Sequence, residues 1–259
     1  MEPILEVNDL TKTFSVNGKA ALTAVDHMSF RLYEGESLGI VGESGSGKST
    51  LAKLICRLTD PTSGSIHLCG QDITNAKGKE LREAYRQMQM VFQSPMGSFD
   101  PRKTIGYGIG ESLANCGIPK ADRVVKVSSL LEQCGLPKEF SERYPHEISG
   151  GQCQRAAIAR ALAVGPGLLI CDEATSALDV TIQQQIMSLL TQLKTAHRLS
   201  FLFICHNLAL VQSFCDRILV MQEGRIVEGG TPEEIIFSPK AEYTKCLVNS
   251  AYTSCHFQY

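Results

Sequence analysis

The chain has 259 residues and a net charge of −2, with 43% hydrophobic and 20% charged side chains, enough apolar material for a core of its own. A protein that neutralises nucleic-acid phosphates carries a basic excess, which is missing here. No apolar run approaches the roughly 20 residues that span a bilayer, no secretion signal is expected, and the ten cysteines show neither a CxxC pair nor metal spacing, so they read as small buried apolar residues in a reducing compartment.

Residues 4–7 and 29–32 alternate apolar and polar and read as short strands. Residues 37–41 form a β-rich run closed by glycines, with a helix expected over 48–58, a turn at 61–64 and a strand at 65–68. After a strand at 88–92, residues 94–165 hold few β-branched runs and show helical periodicities at 123–134 and 152–163. Strand character then returns at 168–171, 201–205 and 218–221, separated by helical stretches at 180–196 and 208–214. Alternating strands and helices predict an α/β fold with a mainly parallel core sheet covered on both faces. An N-terminal antiparallel β layer lies beside it. The expected organisation is one domain over 1–259, with 1–93 and 166–259 as the core and 94–165 as an inserted helical subdomain.

Gly42-Glu43-Ser44-Gly45-Ser46-Gly47-Lys48-Ser49-Thr50 matches GxxxxGK[ST] between an apolar strand and a helix, the setting in which a phosphate loop works. Glycines let backbone N–H groups close around phosphates, and the helix aims its positive end at the same anion. Lys48 would bridge the β- and γ-phosphates of a nucleotide, and the Ser49 hydroxyl would ligate Mg²⁺.

Three further strand ends carry polar groups. Residues 168–171 lead into Asp172 and Glu173, and in a doubly wound sheet that edge faces the ligand. Asp172 would then reach Mg²⁺ and Glu173 would polarise the water that attacks the γ-phosphate. An isolated Asp-Glu pair is also an ordinary solvated loop; the apolar strand before it, in a chain with a phosphate loop, favours the site. His206 follows the next strand, and Gln93 ends the 88–92 strand with an amide oxygen suited to Mg²⁺ or the attacking water. Ser149-Gly150-Gly151-Gln152 opens the 152–163 helix, along which lie Arg155 and Arg160. A serine and glycine amides at a helix start can hold an anion, or can simply cap the helix.

Taken together, the phosphate loop, Gln93, Ser149–Gln152, Asp172-Glu173, Ser176-Ala177-Leu178-Asp179 and His206 occur in the order and approximate spacing of the ATP-binding-cassette ATPases, and from about residue 4 to 230 the chain resembles that family. One departure is Ile148, where leucine is usual. The resemblance implies an ABC-type P-loop NTPase using ATP and Mg²⁺. It implies that two subunits, identical or paralogous, pair head to tail, each closing the other's ATP site with Ser149–Gln152 while Asp179 lies at the seam. Phe14 matches the family's adenine-stacking aromatic; the segment is short, and ordinary core is the alternative reading. Such a subunit would sit on the cytoplasmic face of the membrane against two permease subunits, and indirectly serve an extracellular substrate-binding protein.

Gln93–Arg102, Tyr144–Gly151 and the closing segment from Phe237 to Leu247, with its Tyr243-Thr244, resemble the oligopeptide, dipeptide and nickel importer subunits. A peptide or a nickel or metal-chelate cargo is therefore expected. The alternatives are an exporter or lipoprotein-extracting ATPase, and an ABC ATPase acting on DNA or ribosomes. The last would need a long coiled coil before Ser149, or a second cassette.

Overall fold

The computed structural model describes residues 2–16, 19–176 and 178–253; Ala177 of the Ser176–Asp179 run lies outside them. The hairpin of β1 (Pro3–Val16) and β2 (Lys19–Tyr33) is far longer than the two short runs expected. Register shifts between Val7 and Leu10, and again between Leu10 and Lys12, break the alternation. Asp9 and His27 turn into the left-handed region there (φ 51 and 50). Each extra residue moves later side chains to the other face, so a period-two pattern fades although pairing continues.

From β2 the chain enters β3 (Ser37–Val41), the glycine loop and α1 (Lys48–Ile55). This helix stops short of the expected residue 58. Arg57 adopts φ 55 and its guanidinium reaches Asp60 at 2.8 Å, turning the backbone out of the helical path. β4 (Ser63–Leu68) and β5 (Gln71–Asp72) complete a four-stranded antiparallel sheet of order β2-β1-β4-β5. α2 (Gly78–Gln87) had no apolar stripe to announce it, Ala84 being its one buried residue.

β6 (Met88–Val91) precedes α3 (Ile105–Asn115), α4 (Lys120–Gln133) and α5 (Gly150–Leu162). Ile109, Leu113, Val127, Leu131 and Ile158 join these helices in one apolar cluster that runs on to the sheet. β7 (Leu168–Asp172), α6 (Val180–His197), β8 (Ser200–Ile204), α7 (Leu208–Phe214) and β9 (Arg217–Gln222) follow. Beyond the last strand expected from sequence come β10 (Arg225–Gly230), α8 (Pro232–Phe237) and α9 (Glu242–Thr253).

The six-stranded sheet has the order β10-β9-β3-β8-β7-β6, parallel except for β10. Every residue of β3, β7 and β8 is buried, which explains their unbroken apolar runs. Leu38, Ile40, Leu168, Ile170, Leu202 and Ile204 face the antiparallel sheet and α1. Leu169, Cys171, Phe201, Phe203 and Val220 face the helices. Each such side chain contributes about 1.5–3 kcal/mol of burial, so the register of these strands is tightly held. Cys56, Cys134, Cys153, Cys171, Cys205 and Cys215 are free and buried, and burial pushes the Cys171 thiol up to about 12. Among the described residues no helix is long and apolar enough to cross a membrane.

Candidate functional site

β3, β8, β7 and β6 are neighbours and parallel, so their C-terminal ends share one edge. The register pairs Asp172 with Ile204, Val91 with Cys171 and Ile40 with Ile204. That places the phosphate loop, His206, the two acids and Gln93 side by side. Sequence order alone could not supply this adjacency.

In the loop, the Lys48 ammonium is buried and donates to the carbonyls of Gly42 at 2.8 Å and Glu43 at 2.7 Å, and to Ser46 Oγ at 3.2 Å. Loss of hydration pushes its pKa down, against the pull of Glu173 and Asp172. Two glycines are required by the protein itself rather than by a ligand. A Cβ on Gly47 (φ 102) would lie 2.0 Å from the Ala24 carbonyl, and one on Gly42 would lie 2.1 Å from that of Met221. The loop is thus seated on β2 and β9 backbone, leaving Glu43, Ser44 and Gly45 exposed. Ser49 and Thr50 lie half-buried in the first turn of α1.

The Ser49 hydroxyl donates to Asp172 Oδ1 at 3.0 Å, so the strand end and the helix start meet. Asp172 is buried. Its carboxyl is held above the ordinary range chiefly by lost hydration and also by Glu173, with the Ser49 bond and Lys53 opposing. A dehydrated carboxylate, a hydroxyl and the Gln93 amide oxygen are hard oxygen donors, the set Mg²⁺ takes when phosphates and water complete its shell.

Glu173 Oε2 accepts from Gln93 Nε2 at 2.8 Å, and its other oxygen lies 3.6 Å from His206 Nδ1. Glu173 itself has φ 48, a strained value for a non-glycine residue and of the kind that clusters at functional sites. Nothing in the sequence signalled it. A cleft of about 1150 Å³ opens beside these groups, lined by Ser49, Gln93 and Asp172 among others.

Ser149 caps α5: its hydroxyl accepts from Gln152 N at 3.3 Å while Gln152 Oε1 accepts from Ser149 N at 2.9 Å, a reciprocal box. Ser149 and Gly150 remain exposed. Gly151 packs on α6, where an added Cβ would lie 2.6 Å from Ile182 Cγ2. No hydrogen bond of this tip reaches the phosphate loop among the described residues. Arg155 and Arg160 bond within the protein. Arg155 donates to the Cys134 carbonyl at 3.0 Å; Arg160 covers the Phe99 ring at 4.4 Å and donates to Ser98 Oγ at 2.9 Å, tying α5 to the segment after Gln93. Asp179 is exposed and caps α6 through Ile182 N at 2.9 Å. Phe14 is 39% exposed on β1 with the Lys12 ammonium 5.0 Å from its ring centroid, so it is not a core residue.

The family model described as "ABC transporter" matches residues 25–176. The chain belongs to the ABC transporter family. Among its curated relatives is the oligopeptide transport ATP-binding protein OppF of Salmonella typhimurium, 45% identical over 95% of this chain and 77% of that protein. The di/tripeptide transport ATP-binding protein DppF of Pseudomonas aeruginosa is 41% identical over 96% and 79%, and OppF of Bacillus subtilis 44% over 96% and 82%. Among solved structures, the dimeric post-hydrolysis state of the ATP-binding cassette MJ0796 with ADP and Pi superposes with a TM-score of 0.81, at 28% identity over 88% of this chain and 98% of that one. The cbiO1 structure from Clostridium perfringens gives 0.80 at 25% identity, over 98% of each chain. The α/β architecture with its antiparallel layer is therefore that of an ABC cassette.

Proposed function

We propose that this chain hydrolyses ATP as the paired motor subunit of an importer for short peptides. One observation carries the catalytic reading: Glu173 lies between Gln93 and His206 at 2.8 and 3.6 Å, next to the Ser49–Asp172 contact of 3.0 Å. In this reading the amides of residues 44–50 and the Lys48 ammonium hold the β- and γ-phosphates. Ser49, Asp172 and Gln93 hold Mg²⁺, which supplies positive charge against the phosphates when bound. Glu173 polarises the attacking water, Gln93 fixes that carboxylate, and His206 donates toward the γ-phosphate. Phe14 stacks on adenine.

Two chains pair head to tail, each exposed Ser149–Gln152 tip closing the other's site, with Asp179 at the seam. The helices within 94–165 move as a unit when the pair closes and pass the motion to two permease subunits at the cytoplasmic membrane face. The names of the OppF and DppF relatives support a peptide cargo; none of those relatives is named for nickel.

Glu173→Gln keeps the size of the carboxylate and one acceptor oxygen for Gln93 Nε2 but removes its charge and basicity. ATP binding is expected to persist while steady-state hydrolysis falls by about 10²–10⁴-fold, the range for a lost general base. Turnover at the unmodified rate would take Glu173 out of this role. Uptake of labelled di- to pentapeptides, competed by peptide but not by Ni²⁺, tests the cargo.

A further inference from the structure

The phosphate loop has a brace outside residues 25–176, in the C-terminal elements. Glu43 N–H donates to the Tyr243 hydroxyl, in the first turn of α9, at 2.9 Å. Gly224 N, in the β9–β10 turn, donates to the Ser46 carbonyl at 3.0 Å. The start of α9 is pinned in turn, because Glu228 on β10 accepts from Lys240 N at 2.8 Å and Ala241 N at 3.0 Å.

The Tyr243 bond falls on a particular peptide unit. Glu43 N–H and the Gly42 carbonyl belong to one plane and point opposite ways. The carbonyl accepts from Lys48 Nζ at 2.8 Å, so Tyr243 holds one end of the plane and Lys48 the other. Glycine at position 42 leaves that plane free to rotate on its N-terminal side, and Glu43 itself is exposed, so no packing of its side chain prevents a flip. A flipped plane would turn the Gly42 carbonyl away and leave Lys48 without one of its acceptors.

We infer that Tyr243 is a positioning residue for nucleotide binding: its hydroxyl locks the Gly42–Glu43 peptide and thereby aims Lys48 at the phosphates. This deepens the ATP reading above and rests on it. It also gives the closing Tyr243-Thr244 segment, left without a role by the motifs, a task at the site. Movement of α9 would be felt at the loop as a change in ATP affinity.

Tyr243→Phe in the full-length chain removes one oxygen and keeps the ring, which packs on the main core. One hydrogen bond contributes about 0.5–1.5 kcal/mol, a factor of about 2–10. The apparent KM and Kd for ATP should rise by that factor with kcat within about twofold. The nucleotide-free melting temperature should fall by no more than the few degrees that one such bond carries, and amide exchange of a peptide spanning 37–51 should quicken while those of β7 and β8 do not. Unchanged ATP affinity together with unchanged exchange in the loop would overturn the inference. So would a larger fall in melting temperature with kcat and affinity declining together, the mark of a packing role. Failure of the unmodified chain to bind ATP in the same titration would instead strike the underlying reading.

Discussion

Gly151 offers a sharp test of why a glycine stands in the exposed tip that opens α5. On Gly151→Ala two effects compete. Alanine is favoured over glycine inside a helix by about 1 kcal/mol. The new Cβ, however, would sit 2.6 Å from Ile182 Cγ2, whereas Ile182 Cδ1 and Cβ lie at 3.7 and 3.8 Å. Only the Cγ2 methyl clashes, and overpacking of this kind costs about 1–3 kcal/mol. The net loss is about 1 kcal/mol, which for a chain of this size lowers the melting temperature by about 2–4 °C. The clash can be isolated by a second substitution. Ile182→Ala removes the offending methyl and keeps only the distant Cβ, while Ile182→Val keeps a methyl at Cγ2. In a double-mutant cycle read by thermal or urea unfolding, Gly151→Ala should become stabilising or neutral on the Ile182→Ala background, with a coupling of about 1–3 kcal/mol. It should stay destabilising with Ile182→Val. Additive effects in the alanine pair would refute the packing argument and leave ligand contact as the reason for the glycine.

Two other substitutions separate binding from folding. Phe14→Ala, at a side chain 39% exposed, should leave the melting temperature nearly unchanged. It should weaken ATP by about 5–150-fold in a fluorescent-nucleotide titration, since stacking on a base contributes about 1–3 kcal/mol; equal affinities would remove Phe14 from the adenine site. Asp172 concerns pH. Burial, first of the causes, holds its carboxyl above the unfolded value, so ionising it penalises the folded state. The stability it leaves intact in acid is lost as pH rises through the folded pKa. Asp172→Asn should therefore raise the nucleotide-free melting temperature at neutral pH, with the advantage shrinking toward acid pH, while Mg²⁺-dependent hydrolysis is lost. Parallel melting curves for the two proteins at every pH would contradict this account.

Much of the site was legible because its chemistry is local. A phosphate loop needs glycines, a lysine and a hydroxyl within nine consecutive residues, and fully buried strands must be continuously apolar, so 37–50 and 168–173 declared themselves. The bulged hairpin of β1 and β2 did not, since each register shift cancels the alternation that marks a strand. Polar α2 did not, having one buried residue to reveal its face. Adjacency of the four strand ends is a matter of strand order, which no local pattern encodes. The left-handed turn at Glu173, the seat of Gly42 and Gly47 on Met221 and Ala24, and the reach of Tyr243 across 200 positions to Glu43 exist only once the sheet has assembled. Composition and spacing thus determined which polar groups this protein carries at its strand ends. The tertiary structure decided how they are aimed, because aim depends on backbone contacts between segments far apart in the chain.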